Sequence, residues 1–168
     1  MKQEHKQQNN EVAGFLEKIV VNVGIGRLSA QPNFEEKGLP QITRDIASAC
    51  GQMPQVRRAK KSIAGFKTRE GQIIGLRATL RRRKMVDFFE RLTKIVLPRV
   101  KDFRGLERSI IDDGGTLNIG LREQFVFPEI NPEESQVSFP LGINLVPKEK
   151  NREKAVKKFL ELGVPLKK

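Results

Sequence analysis

From Lys18 to Gly24 apolar and polar residues alternate, with Ile19, Val21 and Val23 on one side of an extended chain and Val20 and Asn22 on the other. A period of two predicts a strand. Beyond a loop holding Pro32, Gly38 and Pro40 the period lengthens: Ile42, Ile46, Ala47 and Ala49 recur at helical spacing over Gln41–Cys50. Gly51 is placed to cap that helix and Pro54 bars its continuation. The clearest alternation runs over Ile73–Arg83, where Ile74, Leu76, Ala78 and Leu80 interleave with Gly75, Arg77, Thr79 and Arg81. Lys84–Leu97 then switches to a helical stripe of Met85, Phe88, Phe89, Leu92, Ile95 and Val96, ended by Pro98. Asp87 with Arg91, and Glu90 with Lys94, are spaced to pair along its outer face. Leu117–Arg122 alternates again, with Leu117, Ile119 and Leu121 inward. So does Val137–Val146, where Pro140 predicts an edge position or a bulge. Asn151–Leu162 closes the chain as a helix capped by Asn151, with Ala155, Val156, Phe159 and Leu160 inward and Gly163 and Pro165 ending it.

Strands and helices intermix without regular strand–helix–strand crossovers. The expected class is therefore α+β, two-layer, with a mainly antiparallel sheet and helices packed on one face. At 168 residues, 38% hydrophobic and 31% charged, the chain can bury one core. Residues 18–168 are expected to form a single domain, preceded by a short, polar and mobile segment over residues 1–17. No apolar run approaches the roughly 20 residues that cross a bilayer. Met1–Asn10 has neither the apolar stretch of a secretory signal nor the Arg-rich character of a transit peptide. A lone cysteine, Cys50, excludes an internal disulfide and suits a reducing compartment. The expected location is cytoplasmic, with no membrane partner.

Charge changes the picture most. The net charge of +12 is unevenly spread. Met1–Val56 balances at zero (6 basic against 6 acidic), Arg57–Lys84 carries 11 basic residues against one acidic, and Ser109–Pro147 is at −5. A solvated face normally mixes signs, so a 28-residue stretch at +10 reads as a field directed at a polyanion, either nucleic acid or an acidic membrane surface. Gly65, Gly71 and Gly75 and the alternating pattern argue against a basic membrane helix. The outward strand positions Asn22, Arg77, Thr79, Arg81, Asn118 and Arg122 include no carboxylate.

Enzyme motifs are incomplete. Gly24-Ile25-Gly26 follows an apolar strand, with Asp45 nineteen residues on, but Ser29 stands where a dinucleotide fingerprint needs its third glycine and a loop with Pro32 replaces the helix. Gly65–Gly71 lacks the Gly-Lys-Ser/Thr ending of a phosphate loop. One Cys and one His cannot build a closed metal site, and Asp112-Asp113-Gly114-Gly115 reads as a turn. No cofactor, metal or catalytic residue is expected. Among ten Phe, with no Trp or Tyr, Phe66 alone sits in the basic loop, where it serves either to stack on a base or ribose or to anchor the loop.

Ala59-Lys60-Lys61-Ser62-Ile63-Ala64-Gly65-Phe66-Lys67 resembles the large-subunit ribosomal protein five family, which binds 5S rRNA. So do Ile74-Gly75 through Thr79-Leu80-Arg81, Asp102-Phe103-Arg104-Gly105-Leu106, and Gly120-Leu121-Arg122-Glu123-Gln124 with Phe127-Pro128-Glu129-Ile130. These blocks keep the family's order from about Lys18 onward. The resemblance implies a structural role in the central protuberance of the large ribosomal subunit, with 5S rRNA held on the sheet face. Asn22, Gln52 and Thr79 match the family's RNA-contacting positions. Arg57, Arg58, Lys60, Lys61, Ser62, Arg77 and Arg81 complete the expected rRNA-binding set. The loop Lys60–Gly71 matches the family loop that reaches peptidyl-site tRNA, through Gly65, Phe66, Lys67, Arg69 and Gly71. Implied partners are 5S rRNA, large-subunit rRNA, peptidyl-site tRNA and neighbouring ribosomal proteins, including one of the small-subunit head. A nonribosomal RNA chaperone or regulator on the same domain is the alternative. The chain departs from the family pattern before Lys18, at Asp113–Leu117 (in place of a Gly-Arg-Gly-Asn-Tyr turn), at Arg83 (where an acidic residue is usual) and at Pro140 and Pro147.

Overall fold

The computed structural model describes residues 2–167. Its five strands are β1 (Leu16–Gly24), β2 (Gln55–Arg58), β3 (Ile73–Leu80), β4 (Leu117–Leu121) and β5 (Leu141–Pro147). They form one antiparallel sheet in the order β2-β3-β1-β5-β4, and with the helices they give the α+β class. The chain divides into two compact units, one of Met1–Val20, Thr79–Gly120 and Ile143–Lys168, the other of Val21–Ala78 and Leu121–Gly142.

In the first unit α1 (Lys2–Phe15) occupies the polar segment before β1. Its second half is tied down: Val12 is buried and the Phe15 ring meets that of Phe159 edge-on at 5.0 Å. Lys148 N–H also donates to Phe15 O at 2.9 Å. Helix α3 (Arg82–Arg91) runs into a π-helical turn (Leu92–Val96) and one further turn, α4 (Leu97–Arg99). The wide turn adds a residue to the repeat and rotates the positions beyond it. Val96 and Leu97 are therefore buried, while Ile95, expected in the stripe, is 42% exposed. Lys94 reaches Glu90 at 2.7 Å as its spacing predicts, and Arg83 lies 3.8 Å from Asp87. The closing helix α5 (Arg152–Glu161) is capped by Asn151, whose side chain accepts from Lys154 N–H at 3.0 Å. Its buried residues are Ala155 and Phe159, with Leu162 buried just past its end; Leu160, expected inward, is turned about 100° from Phe159 and is exposed. Asp112 closes the turn before β4, its Oδ1 accepting Thr116 N–H at 2.8 Å.

In the second unit α2 (Leu39–Cys50) buries Ile42, Ile46, Ala49 and Cys50 and ends at Gly51 with φ +63°. The strand expected over Val137–Val146 begins only at Leu141. Gln124 intercepts the residues before it, donating to Val137 O at 2.8 Å and accepting Phe139 N–H at 3.0 Å. Ser135 donates to Asp45 Oδ2 at 2.5 Å and accepts from Gln41 at 2.9 Å. Side chains thus take the bonds a ladder would supply. Pro140 lies exposed just outside the strand, and β5 is an interior strand rather than the edge its proline suggested.

A candidate nucleic-acid interface

As far as Ala78 the basic stretch folds as an edge hairpin of the second unit; its last four cations, Arg81 to Lys84, fall in the first unit. Strand β2 pairs antiparallel with β3, Gln55 opposite Arg77, Val56 opposite Leu76 and Arg57 opposite Gly75. The next pair is Arg58 with Ile73, so Ile74 is an extra residue, a β-bulge. The bulge reverses the phase of the strand. Ile73 is buried and Ile74, expected inward, is 38% exposed; from Leu76 the expected alternation resumes, with Leu76, Ala78 and Leu80 buried. Opposed residues share a face, so Gln55 and Arg57 stand on the side from which Arg77 projects.

All four residues of β2 are exposed. The loop beyond it is bonded to itself. Ala59 N–H donates to Gln72 O at 2.8 Å and Gly71 N–H to Ala59 O at 2.9 Å; Ile63 and Thr68 exchange bonds of 2.9 and 3.2 Å. Ser62 Oγ accepts Glu70 N–H, and Gln72 Nε2 donates to Ser29 Oγ at 3.0 Å. The result is a second small hairpin, with a 3-10 turn (Ala64–Phe66) at its tip and Lys67 at φ +50°. Phe66 at that tip is 80% exposed, so it does not anchor the loop in a core.

Arg57, Arg58, Lys60, Lys61, Lys67 and Arg69 are all exposed. The two guanidinium groups on β2 are held by neutral oxygens: Arg58 donates to Gly71 O at 2.9 Å and Arg57 to Gln55 Oε1 at 3.2 Å. Among the described residues none of the six makes an ion pair with a carboxylate. Six uncompensated cations on a narrow ribbon maintain the positive field read from the sequence, at a cost in self-repulsion.

The other expected positions are distributed over the fold. Asn22 is exposed on β1, Gln52 is half-buried after α2, Thr79 is half-buried on β3, and Arg81 is exposed between β3 and α3. Arg77 is less open than strand alternation suggested: it is half-buried and its Nε is shielded without a hydrogen-bond partner. Gly65 and Gly71 are exposed in the loop. Arg27, a lone cation in a neutral stretch, escapes a count of charge along the chain. The turn after Gly24-Ile25-Gly26 sets it beside the loop, where it lines a groove of about 820 Å³ with Phe66 and Lys67. Among the described residues no cluster of His, Cys, Asp and Glu could hold a metal ion, and no helix is long and apolar enough to cross a membrane.

Two family models match in tandem. Residues 14–69 match the family described as ribosomal protein L5, and residues 73–166 match the model of that ribosomal family's C-terminus. Among curated proteins, the large ribosomal subunit protein uL5 of Chlorobium luteolum is 41% identical over 91% of this chain and 77% of its own length. Its counterpart from Chlorobaculum tepidum is 42% identical over 91% of the chain and 81% of its own length. That from Chlorobium phaeobacteroides is 38% identical over 97% of the chain and 81% of its own length.

Proposed function

The chain belongs to the ribosomal protein L5 family, structural rather than enzymatic constituents of the large ribosomal subunit, and from that premise we propose that it binds 5S rRNA in the central protuberance. The supporting observation is the β2–β3 ribbon, whose six exposed cations have no carboxylate partner among the described residues. RNA phosphates supply the missing counter-charge, and release of their counterions drives binding. In this reading Arg57, Arg58, Lys60, Lys61 and Ser62 grip phosphates along the ribbon. Asn22, Arg77 and Thr79 meet 5S rRNA from the strands, and Gln52 and Arg81 from the segments after α2 and after β3.

The loop tip extends the reading to tRNA. Gly65, Phe66, Lys67, Arg69 and Gly71 form an exposed hairpin end whose ring and charges suit a ribose or base beside a phosphate. The partner of this tip is peptidyl-site tRNA; a small-subunit head protein is a separate partner, met around the Asp113–Leu117 turn and later segments. Residues 18–168 act as one RNA-binding domain on the cytoplasmic ribosome.

Two measurements test the proposal. Tagged protein expressed in cells should be recovered in large subunits at about one copy each, and the purified chain should bind 5S rRNA in preference to a 16S rRNA fragment of equal length. Recovery outside ribosomes with no preference for 5S rRNA would replace this reading with that of a nonribosomal RNA chaperone.

A further inference from the structure

We propose that Arg82 and Arg83, with Arg81 and Lys148, form a second phosphate-binding site for RNA, in the first unit and distinct from the β2–β3 ribbon. The proposal rests on the chain's place in a large ribosomal subunit and not on the reading of the ribbon.

A cleft of about 790 Å³ lies between the start of α3, the second half of α1 and the residue after β5. Its floor is apolar, from Leu16 and Met85, and its rim carries Arg81, Arg82, Arg83 and Lys148 with the amides of Asn9 and Asn10. Lys148 is oriented by donating one proton to Ala13 O at 2.8 Å; an ammonium has three. Two carboxylates also line the cleft; Glu17 pairs with a cation outside it, whereas Asp87 shares Arg83 with the proposed site. Glu17 sits 3.0 Å from Lys18, and Asp87 lies 3.8 Å from Arg83. Arg83 is nonetheless 94% exposed at its side chain.

The local chemistry is poor for folding. Arg82 has φ +53°, a conformation that favours glycine. The first turn of α3 contains Arg82, Arg83 and Lys84 with no acidic residue, and Arg81 offers no side-chain cap. Cations there oppose the helix dipole. A bound phosphodiester reverses each of these penalties except the backbone strain, because it brings negative charge to four cations at once. The cations, gathered around one cleft from separate elements, define the site; the helix end only adds to it. A structured RNA backbone is the favoured occupant, since spaced phosphates can meet Arg82, Arg83 and Lys148 together.

The full-length chain is titrated with a 24-base-pair RNA duplex of mixed sequence at several salt concentrations. Arg82→Gly with Arg83→Gln should reduce the slope of log affinity against log salt by about 1.4–1.8, the effect of two phosphate contacts at roughly 0.7–0.9 each. Its melting temperature should hold or rise, because glycine relieves the backbone at residue 82. Arg99→Gln with Lys101→Gln removes the same charge outside the cleft and should leave the slope nearly unchanged. If the double variant folds poorly, Arg83→Gln and Lys148→Gln leave the backbone at residue 82 untouched, and each should reduce the slope by the amount of a single phosphate contact. Equal slope losses at the cleft and at Arg99 and Lys101 would overturn the site in favour of a general charge effect. An unchanged slope combined with weaker binding of poly-glutamate would overturn RNA in favour of an acidic protein segment. Lys60→Gln with Lys61→Gln, run in parallel, separates the two sites: a reduced slope at the cleft alone would support it while removing the ribbon.

Discussion

A methyl group at Gly75 would stand 2.7 Å from the carbonyl oxygen of Val23, so β3 approaches β1 at a point where only glycine fits. The approach lies beside the bulge at Ile74 and opposite Arg57 of β2, so it helps set the geometry of the ribbon. Gly75→Ala must push backbone from backbone. A loss of about 1–3 kcal/mol in stability is expected, read as a lower melting temperature. Amide exchange should rise first over β2 and the start of β3. A variant melting with the parent would show that the strands can part at no cost.

Arg77 and Leu80 on β3 should respond in opposite ways. The shielded, unpartnered Nε of Arg77 carries a desolvation cost of about 1–3 kcal/mol. Arg77→Met removes that cost while retaining the aliphatic stem, so stability should hold or rise as 5S rRNA binding weakens. Leu80 is fully buried; Leu80→Ala should cost about 2–5 kcal/mol through lost burial and a cavity, with RNA binding spared in the folded fraction. Thermal melts paired with 5S rRNA binding curves decide it. If Arg77→Met unfolds the protein and Leu80→Ala does not, the assignment of faces is reversed.

Ribbon electrostatics predict a slope. Lys60→Gln with Lys61→Gln should reduce the salt dependence of 5S rRNA binding by about 0.7–0.9 for each phosphate released. Both residues are exposed, so the melting temperature should change by no more than about 0.5 kcal/mol of stability would produce. An unaltered slope would remove both lysines from the phosphate-binding set.

Phe66 offers a separable test at the loop tip. With 80% of its surface exposed, Phe66→Ala should leave folding and 5S rRNA affinity close to the parent's. It should weaken protection of peptidyl-site tRNA in ribosomes reconstituted with the variant, since stacking is worth about 1–3 kcal/mol per base. A drop in 5S rRNA affinity instead would move Phe66 from the tRNA contact to the rRNA contact.

Periodicity makes most elements legible. Leu117, Ile119 and Leu121 alternate and are buried; Ile42 and Ile46 recur at helical spacing and are buried; Asn151 caps the closing helix as its side chain predicts. Charge counting locates the ribbon, because uncompensated cations are visible without coordinates. The misplaced residues are Ile74, Ile95 and Leu160, each inward by pattern and exposed in the fold. At Ile74 a bulge, and at Ile95 a π-helical turn, shifts the phase of the pattern by one residue, and a single string of letters carries no sign of which residue is extra. Leu160 instead borders the buried stripe of α5, and only the packing of that helix decides how wide the stripe is.

What the sequence determined by itself was local: the period of each element, the caps that end helices, and the net field of Arg57–Lys84. Those depend on neighbours along the chain, through backbone sterics and side-chain spacing. Tertiary structure decided which residues at a distance meet. It placed Gln124 and Gln41 against Ser135 and Val137 and so shortened β5. It shielded Arg77 Nε, set Arg27 beside Phe66, and brought Lys148 to the cleft of Arg82 and Arg83. Burial and these hydrogen bonds join residues of different segments, Gln124 with Ser135 and Gln41 with Val137, and the period within one element does not say which other segment it will meet.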